Sequence, residues 1–122
     1  MHSNESAENY LETILMLSKK LPVVRSVDIA NELGYKKSSV SIAMKNLREK
    51  NHIVVSDAGF ITLTKSGQEI AEMIYERHEV LTACLVRIGV SEQVAQEDAC
   101  SIEHIISAET LDAIKACYSK MK

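Results

Sequence analysis

Pro22 is the only proline in this chain, and glycine occurs only at positions 34, 59, 67 and 89. These two residue types are the strongest local interrupters of regular structure. With so few of them in 122 residues, long helices are expected rather than a many-turned β fold. Apolar residues make up 46% of the chain, enough for a packed interior, but tryptophan is absent and aromatics are few. The core should therefore be aliphatic and methionine-rich, in one domain or in two very small ones sharing a core. No run of about 18 apolar residues occurs, so no membrane-spanning helix is expected. The N-terminal Met1-His2-Ser3-Asn4-Glu5 has neither the basic region nor the apolar stretch of a secretory signal. Cysteines at 84, 100 and 117 are odd in number, widely spaced and without a C-x-x-C pair. That is no disulfide framework, and it suits the reducing cytoplasm, the expected location.

Helical periodicity places Tyr10, Leu11, Ile14, Leu15 and Leu17 in a first helix over 7–19, with Ser3, Asn4 or Ser6 as its N-cap. Leu21-Pro22 should end it. Ser26 is expected to cap a short helix, Val27–Leu33, with Gly34 just past its end. A third helix opens at Lys37 or Ser38 and carries Val40, Met44 and Leu47 as its apolar stripe, with Ala43 alongside. Asn51-His52 interrupts. Ile53-Val54-Val55 and Phe60-Ile61-Thr62-Leu63 flank Ser56-Asp57-Ala58-Gly59 as a small hairpin. From Thr64 or Ser66 a long helix runs to about Ile88, with Ile70, Ile74, His78, Leu81 and Leu85 along one stripe. From Val80 onward it is apolar nearly all round, as expected of a helix buried on several faces, by its own domain and by a partner subunit. Gly89 stops it. Ser91 should cap a helix over 92–106, and Ser107 another over 108–120.

The net charge of −3 conceals an asymmetry. Residues 19–50 hold eight basic against three acidic side chains, a local +5, whereas residues 66–122 hold five basic against ten acidic, a local −5. A basic half suits an anionic partner, though ordinary surface charge would look the same. Element order adds to the charge. Helix, short helix, Gly-containing turn, third helix and hairpin, in that order, describe a winged helix-turn-helix. Its third helix would enter the DNA major groove. Lys36, Lys37, Ser38, Ser39, Ser41, Ile42 and Lys45 are the candidate contacts. Lysines suit phosphate or guanine, serines suit phosphate at the positive end of a helix, and Ile42 suits a thymine methyl. The alternative is a plain three-helix bundle solvated by its lysines.

Cys100, Glu103 and His104 stand at i, i+3 and i+4, which on a helix puts a thiol, a carboxylate and an imidazole on one face. All three are competent ligands for a divalent transition metal. In a helix over 92–106, Ala95, Ala99, Ile102 and Ile106 would form the core stripe, and the three ligand types would centre roughly 120° away from it. His78, between Ile74 and Leu81, reads by itself as a core histidine. Asn9 and Glu12, one turn apart on the first helix, read by themselves as solvated surface.

Taken together, these blocks resemble the diphtheria-toxin-repressor family of metal-dependent transcriptional regulators, including its compact manganese-transport-regulator branch. The resemblance covers nearly the whole chain. It runs from Glu8-Asn9-Tyr10-Leu11-Glu12 and Val27-Asp28-Ile29-Ala30 through Ser38-Ser39-Val40-Ser41 and Leu63-Thr64-Lys65-Ser66-Gly67. It ends in Arg77-His78-Glu79 and the specific segment Asp98 to Ser107. It implies a homodimer that binds Fe²⁺ or Mn²⁺ and then a palindromic double-stranded operator, repressing metal-uptake genes. It puts His78, Cys100, Glu103 and His104 at ligand positions, with Asn9 or Glu12 contributing from the first helix. The SH3-like third domain of longer members is expected to be missing.

This chain departs from the family pattern in ways that carry chemistry. Asn9 replaces a usual Asp or Met. Cys100 stands where manganese-type members have Glu and iron-type members have Cys, and a thiolate is softer than a carboxylate. That favours Fe²⁺ over Mn²⁺ and would also hold Zn²⁺ or Co²⁺. Gln96 and Thr82 replace a His and a Glu of the ancillary site in iron-type members, so that second site should be weakened or missing. Ile42 replaces a polar base-reading residue, and the wing has Asp57 and no Lys or Arg.

The expected architecture is mainly α: a winged helix-turn-helix DNA-binding domain over 1–64, then a helical metal-binding and dimerisation domain over 65–122. A rival reading is a metal-independent winged-helix regulator sensing oxidation through Cys100, which would need an exposed thiol of low pKa. An enzyme is not expected, nor a small-molecule substrate. Cys100 and His104 on one helix lack an oxyanion hole or a third orienting group, and no Gly-rich phosphate loop is present.

Overall fold

The computed structural model describes residues 5–121. The elements are α1 (Glu5–Ser18), α2 (Ser26–Leu33), α3 (Lys37–Glu49), β1 (Ile53–Val55), β2 (Ile61–Leu63), α4 (Lys65–Arg87), α5 (Glu92–Ile102) and α6 (Ala108–Met121). The molecule divides into two compact units, Ser6–Glu72 and a second beginning at Met73, with the boundary inside α4.

In the first unit α1 buries Tyr10, Leu11, Ile14, Leu15 and Leu17, the stripe that helical spacing predicts. Its candidate caps Ser3 and Asn4 lie outside the described residues, and Ser6 falls within the helix itself. The helix stops earlier than Pro22 requires. Lys19 and Lys20 donate to the carbonyls of Met16 and Leu17, three residues back, and this tightening winds the chain out of the α-helix. At α2 the cap is Arg25 rather than Ser26. Arg25 is extended (φ −124°, ψ 165°), and the Asp28 carboxylate accepts from its backbone N–H at 2.9 Å. An acidic residue three positions into the helix thus secures its start where a serine was expected to. Gly34, at φ 70°, closes α2 in the left-handed conformation, its N–H on the Ala30 carbonyl. The third helix buries Val40, Met44 and Leu47.

β1 and β2 pair antiparallel in the register Ile53↔Leu63, Val54↔Thr62 and Val55↔Ile61. Phe60 falls in the turn instead of β2 and lies under the Arg25 guanidinium, 4.9 Å from the ring centroid. The hairpin is tied to both flanking helices. Asn51, at φ 64°, turns its carbonyl to the hydroxyls of Thr64 and Ser66, at 2.7 and 3.2 Å. Thr64 Oγ1 also accepts from the Gly67 N–H and so caps α4. At this junction the His52 carbonyl lies so close to Gly67 that a Cβ there would overlap it.

In the second unit α4 continues to Arg87. Gly89, at φ 114°, turns the chain, and the Ser91 hydroxyl accepts from the Val94 N–H to start α5. Ser107 does the same for α6 through Thr110. Its buried apolar residues are Ile74, Leu81, Ala95, Ala99 and Leu111. An open apolar groove of about 560 Å³ runs beside them, lined by Leu81, Cys84, Leu85, Ile102, Ile105 and Ile106 among others. No helix of the described residues is long and apolar enough to cross a membrane.

Because Gly67 faces backbone, which cannot swing aside as a side chain can, Gly67→Ala should destabilise the first unit by about 2–3 kcal/mol or more. Chemical denaturation checks this, and a parent-like midpoint would contradict the close approach.

Candidate metal centre and nucleic-acid interface

On α3 every candidate nucleic-acid contact is exposed: Lys36, Lys37, Ser38, Ser39, Ser41, Ile42 and Lys45. The burial of Val40, Met44 and Leu47 on one face leaves these residues facing outward. Ile42 is 64% exposed, an apolar side chain within this polar face. Its neighbours are hydroxyls and ammonium groups, so the face combines cationic, hydrogen-bonding and apolar chemistry at the positive end of a helix. The wing turn, Ser56-Asp57-Ala58-Gly59, adds no basic side chain.

The ligand cluster differs from the expected single-helix face. α5 ends at Ile102, four residues short of the predicted 106, and Glu103 to Ile105 form a turn. The Ile105 N–H returns to the Ile102 carbonyl, a three-residue step. The carbonyls of Glu103 and Ile106 accept from Arg77 Nη1 at 3.1 and 3.2 Å. Glu103 itself keeps helical dihedrals (φ −57°, ψ −26°), with its N–H on the Ala99 carbonyl one turn back. Glu103 is 0% exposed and His104 3%, so these two are the buried residues, whereas Cys100 is exposed. The expectation that Glu103 and His104 lie off the buried face of the unit is corrected accordingly. Ile102 and Ile106, expected in that stripe, are only half-buried.

What the fold does bring together is His78, Glu103 and His104. His78 Nδ1 lies 2.8 Å from Glu103 Oε1, and His104 Nε2 lies 3.4 Å from Glu103 Oε2. The hydrogen bond from Glu103 raises the His78 pKa above its ordinary value. Burial works against it, and the charges of Glu103 and Glu79 add to it. Glu103 Oε2 is buried and, among the described residues, has no hydrogen-bond partner. A buried carboxylate oxygen in that state is costly unless a proton or a cation satisfies it. Two imidazoles around a buried carboxylate make a nitrogen–oxygen donor set that suits a divalent transition-metal ion. Asn9 and Glu12 lie on α1 in the other unit, Asn9 half-buried and Glu12 buried.

Sequence reasoning gave Arg77 no role, although it stands next to His78. Its guanidinium takes the backbone carbonyl of Glu103 while His78 takes that residue's carboxylate. The only sequence signal was a cation beside a histidine on a largely apolar helix.

Two family models divide the chain between them. The DNA-binding domain of the iron-dependent repressors matches residues 2–58, and their metal-binding and dimerisation domain matches residues 64–122. The transcriptional regulator MntR of Escherichia coli O6:H1 is 33% identical over 93% of this chain and 74% of its own length. An uncharacterised HTH-type regulator of Methanocaldococcus jannaschii is 32% identical over 98% of this chain and 97% of its own. Among solved structures, a manganese-dependent transcriptional repressor in complex with manganese superposes with a TM-score of 0.82 at 28% identity. That match covers 90% of this chain, which spans about half, 51%, of the solved one.

For a group whose pKa is raised on folding, stability is fully present below the unfolded value and fades as pH rises through the folded one. In chelator-treated protein the His78–Glu103 pair should therefore stabilise most below about pH 6.5, the ordinary histidine value, and progressively less above it. Denaturant midpoints measured from about pH 6 to 8 should decline for the parent and decline less for Glu103→Gln, and equal slopes would contradict the pairing.

Proposed function

The chain belongs to the iron-dependent repressor family of metal-dependent transcriptional regulators, whose members are not enzymes, and we propose that it is an Fe²⁺-activated repressor of metal-uptake genes. Mn²⁺ is the next-best activator, and Zn²⁺ or Co²⁺ can stand in. The protein acts in the cytoplasm as a homodimer on a palindromic double-stranded operator. The observation that carries the metal reading is the Glu103 carboxylate: fully buried, with one oxygen on His78 and the other without a hydrogen-bond partner among the described residues.

A bound divalent cation would supply two positive charges and directional coordination. Glu103, His104 and His78 would hold it from the second unit, with Cys100 as a thiolate ligand and Asn9 or Glu12 as the contribution of α1. His78 would give up its proton to coordinate, which makes metal affinity rise with pH. Donors from both units would restrict how the recognition helices are presented, favouring a spacing near one DNA turn, about 34 Å. A 100-fold preference for that arrangement corresponds to a shift of about 2.7 kcal/mol, enough for a switch. Lys36, Lys37, Ser38, Ser39, Ser41 and Lys45 would then position the phosphate backbone, and Ile42 would meet a thymine methyl.

The exposure of Cys100 favours one element of a second reading, oxidation sensing through this thiol. DNA binding that responds to peroxide and ignores chelators would establish it.

The test is metal-titrated binding to duplexes enriched from a random pool, with Fe²⁺ (anaerobic), Mn²⁺ and Zn²⁺ side by side. Glu103→Gln and His104→Ala should raise the activating metal concentration by about 10-fold or more. Cys100→Ala should lower the preference for Fe²⁺ over Mn²⁺. Parent-like metal dependence in all three variants would exclude the mechanism.

The dimer is inferred from the open groove around Leu81, Leu85 and Ile106, more apolar surface than a small acidic unit leaves to water. A second copy would cover it. Sedimentation should show a dimer, and Leu85→Glu should shift it toward monomer. A concentration-independent monomer in the parent would remove this element.

A further inference from the structure

We propose that Arg77 is a positioning residue of the metal centre, holding the turn from which Glu103 and His104 project. The inference rests on the metal reading above. α5 ends at Ile102, so the carbonyls beyond its end have no partner within the helix and must be satisfied from elsewhere. Arg77 Nη1 accepts that task for Glu103 and Ile106, 26 and 29 residues away in sequence. Its neighbour His78 binds the Glu103 carboxylate. Two adjacent residues of α4 thus grip Glu103 at both ends, backbone and side chain. Arg77 pays a desolvation cost to do so, since its Nε is buried without a hydrogen-bond partner.

The chemistry needs this particular side chain. A guanidinium presents several N–H donors in a fixed plane and can serve two carbonyls from one end, while its charge strengthens both bonds. A lysine ammonium also has donors enough for two carbonyls, but its nitrogen ends a differently shaped, more strongly hydrated side chain and does not take up the position of Nη1. An apolar side chain serves neither, and the turn that carries Glu103 and His104 loses its tie to α4. The same helix provides an internal control. Arg87 Nη2 donates to the Met121 carbonyl at 2.7 Å, an equivalent bond that touches none of the proposed ligands.

The experiment uses the full chain, stripped with chelator and titrated with Co²⁺ while its visible ligand-field absorption and thermal midpoint are recorded. Arg77→Met should weaken Co²⁺ binding by about 10-fold or more and shift the absorption band, Arg77→Lys should fall between, and Arg87→Met should match the parent in affinity and spectrum. A lowered thermal midpoint with parent-like affinity and spectrum would make Arg77 merely structural and overturn the proposal. So would an equal loss in Arg87→Met. If Arg77→Met does not fold, Arg77→Lys decides, and parent-like binding there overturns the proposal. A parent that binds no Co²⁺ would overturn the metal reading itself and this inference with it. Binding by the parent with no effect at Arg77 would overturn this inference alone.

Discussion

A carboxylate with no exposure to water is the constraint around which the second unit is organised. The idealised cost of moving an isolated charge of this kind into a low-dielectric interior is of order 20 kcal/mol, so Glu103 can remain inside only if its neighbours compensate. His78 does so from α4, and His104 approaches the second oxygen. The rest of the unit concedes space to this arrangement. Its buried apolar set is small and includes two alanines, Ala95 and Ala99. A core this thin, built around ionisable groups, is a poor source of stability by itself. Such a unit gains most from whatever satisfies the remaining oxygen and from whatever covers the apolar groove.

The first unit follows from local rules. Its hydrophobic spacing, the left-handed Gly34 and the short β-rich runs each act within a few residues of themselves, so the helix-turn-helix and hairpin are legible in sequence. The second unit is governed by contacts across the chain. Nothing within residues 92–106 says that a helix should stop at Ile102, because the group that takes over the next carbonyls is Arg77, on another helix. A periodicity argument that took Ala95, Ala99, Ile102 and Ile106 as the core stripe placed Glu103 and His104 beside it, whereas both are buried. Glu103 follows the buried Ala95 and Ala99 at four-residue spacing, and apolar periodicity does not count a carboxylate as an inward residue.

Charge tells a related story at the recognition helix. Overall acidity is no obstacle to binding an anionic polymer when the basic side chains are concentrated where the contact occurs. Lysines and serines on α3 can set position on a phosphate backbone without choosing a sequence. Ile42 has no polar group for phosphate, so under the proposed reading it would contribute through apolar atoms in the groove floor. In the DNA major groove the prominent apolar group is the thymine methyl. With no basic residue on the wing, discrimination would then rest more heavily on α3 than it would with two cationic elements.

Cys100 separates the choice of metal from the binding of metal. Glu103 and His104 are buried, so in the proposed reading they would form the centre whether or not a thiol completes it. Cys100 is exposed one turn earlier on α5, within a rigid element but outside the buried cluster. Under the proposed reading, a ligand in that position would act more on the preferences of the site than on its formation. A thiolate there would shift them toward Fe²⁺, Zn²⁺ and Co²⁺ over Mn²⁺, while affinity alone would follow the usual order of the divalent metals. The same exposure leaves the sulfur open to oxidation when it is not coordinated. Were Cys100 to ligate the metal, a preference for ferrous iron and a sensitivity to oxidant would come from the same atom.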